Sequence, residues 1–193
     1  MKGIAAFLVA AAVTSSTAFA GTWEIDNVHS SVGFQVSHMV ISKVNGKFNT
    51  FSGKIDFDGK DFSKAAVEVM IDPRTIDTDN ERRDGHLKSP DFFAADSLPE
   101  MKFKSTSITP QGDNKFQMVG DLTMRGVTKP VTLNCEFGGT VTAMGGTKAG
   151  FSARGKVNRQ DWGISWNKAL DAGGLVVSND VDIIIEVEAD KKQ

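Results

Sequence analysis

Phe116-Gln117-Met118-Val119-Gly120-Asp121-Leu122-Thr123-Met124-Arg125-Gly126-Val127-Thr128-Lys129-Pro130-Val131-Thr132-Leu133-Asn134-Cys135-Glu136-Phe137 is the stretch on which the fold turns. Two apolar rows run through it with period two: Phe116, Met118, Gly120, Leu122 and Met124, then Val131, Leu133, Cys135 and Phe137. Between them stands Arg125-Gly126, a tight-turn signal. Strict alternation puts apolar side chains on one face of a strand and polar ones on the other. A short link makes two such strands antiparallel neighbours. The same pattern extends in both directions. Upstream, Val32, Phe34, Val36 and His38 alternate with Ser31, Gly33, Gln35 and Ser37; Phe51, Gly53, Ile55 and Phe57 share a face, as do Val67, Val69 and Ile71. Downstream, Phe151, Ala153 and Val157 form a shorter row, and Val181, Ile183, Ile185 and Val187 close the chain against Asp182, Glu186 and Glu188. With Trp23–Ile25 and Met101–Ile108, the pattern predicts about eight or nine strands in one all-β domain. Further turn signals are Asp58-Gly59-Lys60, Gln111-Gly112-Asp113-Asn114, Gly138-Gly139 and Gly145-Gly146.

The chain has 193 residues, 40% hydrophobic and 24% charged, with a formal net charge of −2. This is a globular composition, unlike that of a disordered or collagen-like chain. A near-neutral, slightly acidic chain lacks the basic surface that non-specific nucleic-acid binding needs, so no nucleic-acid partner is expected. The single Cys excludes an intrachain disulfide framework and a Cys-rich metal site. Cys135 lies on an apolar row and reads as a buried, inert small hydrophobe. Thirteen Phe and no Tyr imply a large interior with few hydrogen-bonding groups.

Residues 1–20 read as a secretory signal peptide. Lys2 is followed by the apolar run Gly3–Val13, a small polar stretch, and Ala18-Phe19-Ala20, an A-x-A cleavage pattern. The run is too short to span a bilayer, and no later stretch approaches that length. The expectation is a chain cleaved after Ala20, with a domain at residues 21–193 in the periplasm or secreted, and not membrane-spanning.

Residues 72–99 break the alternation. They are polar, contain three Pro and offer Thr78 or Asp79 as N-cap of a short helix through Glu81–Leu87. So long an excursion inside a compact β domain is usually functional. One-faced antiparallel strands leave two architectures, a two-sheet sandwich or a closed up-and-down barrel whose lumen is filled or holds one small ligand.

Several segments carry a family resemblance. They are Ile25-Asp26-Asn27-Val28-His29-Ser30, Phe34-Gln35-Val36-Ser37-His38, Gly46–Gly53, Ile76-Asp77-Thr78-Asp79, Arg83–Phe93, Leu98–Ser105, Gly120–Val131 and Asn158-Arg159-Gln160-Asp161-Trp162-Gly163. In order and spacing they resemble the YceI-like family across essentially the whole of residues 21–193. The family often has an aromatic where Leu98 stands before Pro99. The resemblance implies an extended, antiparallel, eight-stranded lipocalin-like barrel with a short helical excursion at its mouth. It also implies a secreted or periplasmic protein that binds polyisoprenoid or other long-chain amphiphiles, without established enzymatic activity.

The candidate site follows from what an isoprenoid tail requires, a dry tube of aromatic and branched side chains. Phe34, Phe48, Phe51, Phe103, Leu122, Met124 and Phe151 lie on or near dry faces; each either lines such a tube or fills a core. Arg83, Asp84, His86 and Leu87 stand beside Phe92 and Phe93 in the excursion. There they either meet a polar head group, through bidentate Arg and titratable His donors, or lock the excursion to the barrel. His38 extends a dry row. Arg159 and Trp162 supply a second cationic contact or a structural pair. No cofactor and no metal are expected, because three irregularly spaced His make a poor metal set. The expected ligand is an isoprenoid, quinone or fatty-acyl lipid, carried by a monomer or homodimer in envelope lipid or quinone transport or in a stress response. Two other functions stay open. One is a hydrolase using His29, Ser30, Asp84 or His86, although no G-x-S-x-G elbow is present. The other is a ligand-free structural or stress protein.

Overall fold

The computed structural model describes residues 21–171 and 173–192; the expected signal peptide lies outside them. Eleven strands form one continuous antiparallel sheet. They are β1 (Thr22–Ile25), β2 (Ser31–His38), β3 (Ser42–Phe48), β4 (Phe51–Asp56), β5 (Ala66–Ile71), β6 (Ile76–Asp77), β7 (Met101–Gly112), β8 (Lys115–Met124), β9 (Val127–Ala143), β10 (Gly146–Asn158) and β11 (Val177–Lys191). Six of them are halves of broken strands. β1 pairs with β4 while β2 pairs with β3, and β5 pairs with β4 while β6 pairs with β3. β11 pairs with β2 along its first part and with β1 at its end, so the sheet closes into an eight-stranded barrel. Closure removes the exposed edges that invite aggregation and decides the sandwich-or-barrel choice that periodicity left open.

The opening hairpin folds as its alternation predicts. Gly120 pairs with Val131 and Met124 with Val127, and Phe116, Met118, Leu122, Met124, Val131, Leu133 and Cys135 are buried. The Gly138-Gly139 turn expected from sequence is not a turn. β9 runs through it to Ala143, the register shifts opposite at Gly150/Phe151, and the link is Met144-Gly145. Two glycines in a strand here accommodate a bulge rather than a reversal.

The two barrel ends differ. At one end Phe62, in a 3-10 turn capped by Asp61, stacks between Phe57 and Phe116. At the other stand the β2–β3 link, the Arg125-Gly126 turn, and the segments 78–100 and 159–176. Helix α1 (Glu81–Lys88) forms as expected, but its N-cap is Asn80, whose side chain accepts from the Arg83 N–H. Thr78 is unavailable because its backbone N–H and hydroxyl both donate to Asp84 Oδ1, at 3.0 and 2.5 Å. Asp79 sits at φ 58° and orients the chain into the helix.

The β2–β3 link is unusual. Met39 and Val40 have φ of 51° and 65°. A non-glycine residue in this region costs on the order of 1–3 kcal/mol, and a β-branched one is a real outlier. The other tight hairpin links, Asp113-Asn114, Arg125-Gly126 and Met144-Gly145, each place Asn or Gly at the second position, as left-handed turns favour.

Candidate functional site

The barrel holds a cavity of about 230 Å³, and of the described residues lining it only Ser152 and Arg159 have polar side chains. The wall arises directly from the alternation, since each strand turns one row inward. Of the residues expected from sequence, Phe34, Phe48, Phe103, Leu122, Met124 and Phe151 line it from the strands. Leu87, Phe92 and Phe93 line it from the excursion, and Arg159 from the 3-10 turn Arg159–Trp162 after β10. Phe51 is buried in the same core but is not part of the lining. His38 pairs with Ser42 and Val177 where β2 ends and does not reach the cavity.

The charged cluster of the excursion turns on itself. Arg83 donates through Nε to the Thr78 hydroxyl at 2.7 Å and through Nη2 to the Thr78 carbonyl at 2.7 Å. Together with Asp84 it satisfies a Thr78 that is 5% exposed. This arrangement locks the excursion, as a partly buried charge requires. His86 lies 3.0 Å from Asp91 through Nε2 and packs edge-on against Phe92 and Trp166. Arg125 Nη1 donates to the carbonyls of Phe92 and Gly163, tying the excursion to the loop after β10. Trp162 is buried and donates to the Leu122 carbonyl at 3.1 Å, so it braces the wall from behind.

Arg159 is the one charged residue of the lining. It is 4% exposed, and its guanidinium donates to the carbonyls of Ser178 and Ile164 and to Asn179 Oδ1. All three acceptors are neutral, and among the described residues no carboxylate pairs with it. Burial pushes its pKa below the usual arginine value. Cys135 faces the same lumen, and burial pushes its thiol up to about 12, so it is a wall residue rather than a nucleophile.

Alternation did not single out Phe62, which lies in a short turn, or Trp166, which lies in the 164–176 loop. The inward residues of β5 and β11, and those of β7 other than Phe103, stood on recognised rows but were not named as site residues, since a row cannot distinguish lining from filling.

Outside the barrel, donor atoms of Asp26, His29 and Glu188 lie within 4.8 Å of one another. The Lys148 ammonium stands among them, 3.2 Å from Asp26, 2.8 Å from Glu188 and 2.9 Å from Asp190. It supplies the charge a cation would bring, and the group ties β10 and β11 to the segment after β1. Asp26 holds His29 Nδ1 at 2.8 Å, while the Ser30 hydroxyl is occupied by the Glu188 backbone. His29 and Ser30 therefore do not form a nucleophile–base pair, and Asp84 is engaged with Thr78.

Among the described residues no helix is long and apolar enough to cross a membrane. A model of the YceI-like domain matches residues 23–189. The UPF0312 protein SA2479 of Staphylococcus aureus is 40% identical over 158 residues, covering 81% of this chain and 90% of its own. A Campylobacter jejuni YCEI protein of known structure shares 35% identity with a TM-score of 0.71, over 87% of this chain and 96% of the other. A polyisoprenoid binding domain from Saccharophagus degradans has the same fold at 14% identity and a TM-score of 0.61, over 88% and 98% of the two chains. On the match over residues 23–189 and the likeness to these relatives, the chain belongs to the YceI-like family.

Proposed function

We propose that this protein is an exported carrier that holds the tail of a long-chain isoprenoid, quinone or fatty-acyl lipid in the barrel lumen, without catalysis, cofactor or bound metal. The observation that carries this reading is the barrel cavity whose lining is apolar apart from Ser152 and Arg159. Burying a tail there gains roughly 25 cal/mol per Å² of apolar area, less the entropy lost on ordering it. The fold shared with a polyisoprenoid binding domain supports the same reading. The head group sits at the end opposite the Phe62 stack. There Arg159, a cation paired only with neutral acceptors, suits a phosphate, carboxylate or quinone oxygen. The periplasm or the medium is the matching location.

One observation favours a second reading, a ligand-free structural protein. The cavity, at about 230 Å³, is below the roughly 300–1,000 Å³ of ordinary ligand pockets. On the carrier reading the tail widens it, against walls that include Met101, Met118 and Met124, side chains that repack readily. Native mass spectrometry of protein purified without detergent decides between them. A long-chain amphiphile should accompany the protein. Protein that is consistently empty and takes up neither polyprenyl nor fatty-acyl compounds sinks the carrier reading.

A further inference from the structure

Arg159 is a buried cation whose donors are only partly used. A guanidinium carries five N–H donors. Among the described residues three are taken: Nε donates to the Ser178 carbonyl at 2.9 Å, Nη1 to the Ile164 carbonyl at 2.7 Å and Nη2 to Asn179 Oδ1 at 3.5 Å. One N–H on each terminal nitrogen is left over, in a residue that is 4% exposed and lines the lumen. Ser178 and Asn179 stand in a break of the β11–β2 register, where Val177 pairs with His38 and Val181 with Val36. Bulges of this kind re-aim groups beside a site. The lining residues that flank these contacts in the chain are Val157, Ile164, Val177 and Val181, all apolar.

A guanidinium stays charged in a protein, and a buried charge needs a counter-charge. Asp161, two residues on, and Asp180, which pairs with the preceding Asn158 across β10 and β11, are both exposed. Burial alone depresses the Arg159 pKa, with no acid raising it in return. The counter-charge is left to the occupant of the lumen, and charge balance then separates the head groups. A hydroxyl, amide or quinone oxygen accepts a hydrogen bond but leaves the cation uncompensated. A phosphate monoester, at about −1.5 to −2, brings excess negative charge, and no second cation lines the lumen to meet it. Arg125 is half-buried, lies outside the lining and donates to two carbonyls. A carboxylate balances one guanidinium and accepts from two of its N–H groups at once.

We infer that the lumen selects an amphiphile with a single ionised carboxylate, a long-chain acid, whose head group pairs with Arg159. The inference rests on the carrier reading and assigns its head group. A saturated and an isoprenoid acid share this chemistry and differ only in the tail.

The test is equilibrium dialysis of purified, delipidated protein at neutral pH against radiolabelled laurate, dodecanol or dodecyl phosphate, three ligands with the same tail. Laurate should bind at least about tenfold more tightly than either of the others. Farnesoate against farnesol repeats the comparison on an isoprenoid tail, and the acid with the higher affinity names the source. Arg159→Gln should lower laurate affinity at least about tenfold and leave dodecanol affinity within about threefold. Arg159→Lys keeps the charge without the fork, replaces the Gln variant if that fails to fold, and should show a smaller preference for laurate than the wild type. Equal binding of laurate and dodecanol by the wild type overturns the inference and leaves the carrier reading standing. Tightest binding of dodecyl phosphate overturns it in favour of a phosphorylated head group. A laurate preference undiminished in a folded Arg159 variant overturns it as well. Failure of all five ligands to bind removes the carrier reading and the inference with it.

Discussion

A methyl group built on Gly120 would lie 2.3 Å from Cζ of Phe103 and 2.7 Å from the Lys104 carbonyl oxygen. On Gly46 it would lie 2.3 Å from Cζ of Phe34 and 2.8 Å from Cγ2 of Thr78. Both glycines leave room for a Phe ring that lines the lumen from the neighbouring strand. The nearest obstacles to Gly46 are side-chain ends, and Phe34 is half-buried, so the ring can swing away. Gly120 meets backbone as well as a buried ring. Gly120→Ala should therefore destabilise the protein by about 1–3 kcal/mol, the usual cost of overpacking, and Gly46→Ala by less. Urea unfolding measures both, and a neutral Gly120→Ala would contradict this packing. Gly120 was legible in the sequence as a gap in the row Phe116–Met124. Arg159 was legible only as a charge within a motif; nothing local indicates that its partners are all neutral, because Ser178 and Asn179 come from a distant strand.

At the scale of elements, the rows reveal strands wherever one face is buried along its whole length. They miss the places where a strand bends between halves. Asp26–Ser30 separates β1 from β2, and the Asp26 side chain there accepts from the Val28 N–H and holds His29. The helix was legible because a capping side chain precedes it. The cap was displaced to Asn80 because Thr78 is tied up by a tertiary bond that local sequence cannot show. The Asp26–His29 contact gives this bend a pH dependence. The hydrogen bond from His29 holds the Asp26 carboxyl well below its ordinary value of 3.8, and the same contact raises His29 above 6.5. A depressed carboxylate stabilises the fold above its unfolded pKa, and that stabilisation fades as pH falls through the folded one. A raised imidazolium stabilises the fold below its unfolded pKa, and that stabilisation fades as pH rises through the folded one. Both contributions are complete between pH 3.8 and 6.5. The His29 side chain is 62% exposed, so solvent screens the effect and keeps it small. Going from pH 5.5 to pH 8.5, the wild type should lose more Tm than His29→Gln. An equal loss in both would show that the contact adds nothing.

Over the whole molecule, one end of the barrel is sealed by rings and the other is bordered by the excursion and the 159–176 segment. This asymmetry makes the lumen a blind tube, and a blind tube measures length. Phe62 is the seal. It stacks on Phe57 with ring centres 4.7 Å apart and on Phe116 at 4.6 Å, and Phe137 meets it edge-on at 5.6 Å. Phe57 behind it is 2% exposed, but Phe62 itself is only half-buried and stands on a turn outside the barrel hydrogen bonds. Removing its ring therefore opens the tube without breaking a strand. Full burial would put the cost of Phe62→Ala at about 3–5 kcal/mol; partial exposure brings it to roughly 2 kcal/mol, which a closed barrel should survive. The cavity should then extend past Phe116, and the tails recovered with Phe62→Ala should be longer than those recovered with the wild type. Phe62→Leu, which keeps most of the volume, should retain the wild-type range. Native mass spectrometry of the three proteins reads the distribution directly. An unchanged distribution in a folded Phe62→Ala protein would place the limit on tail length elsewhere in the tube.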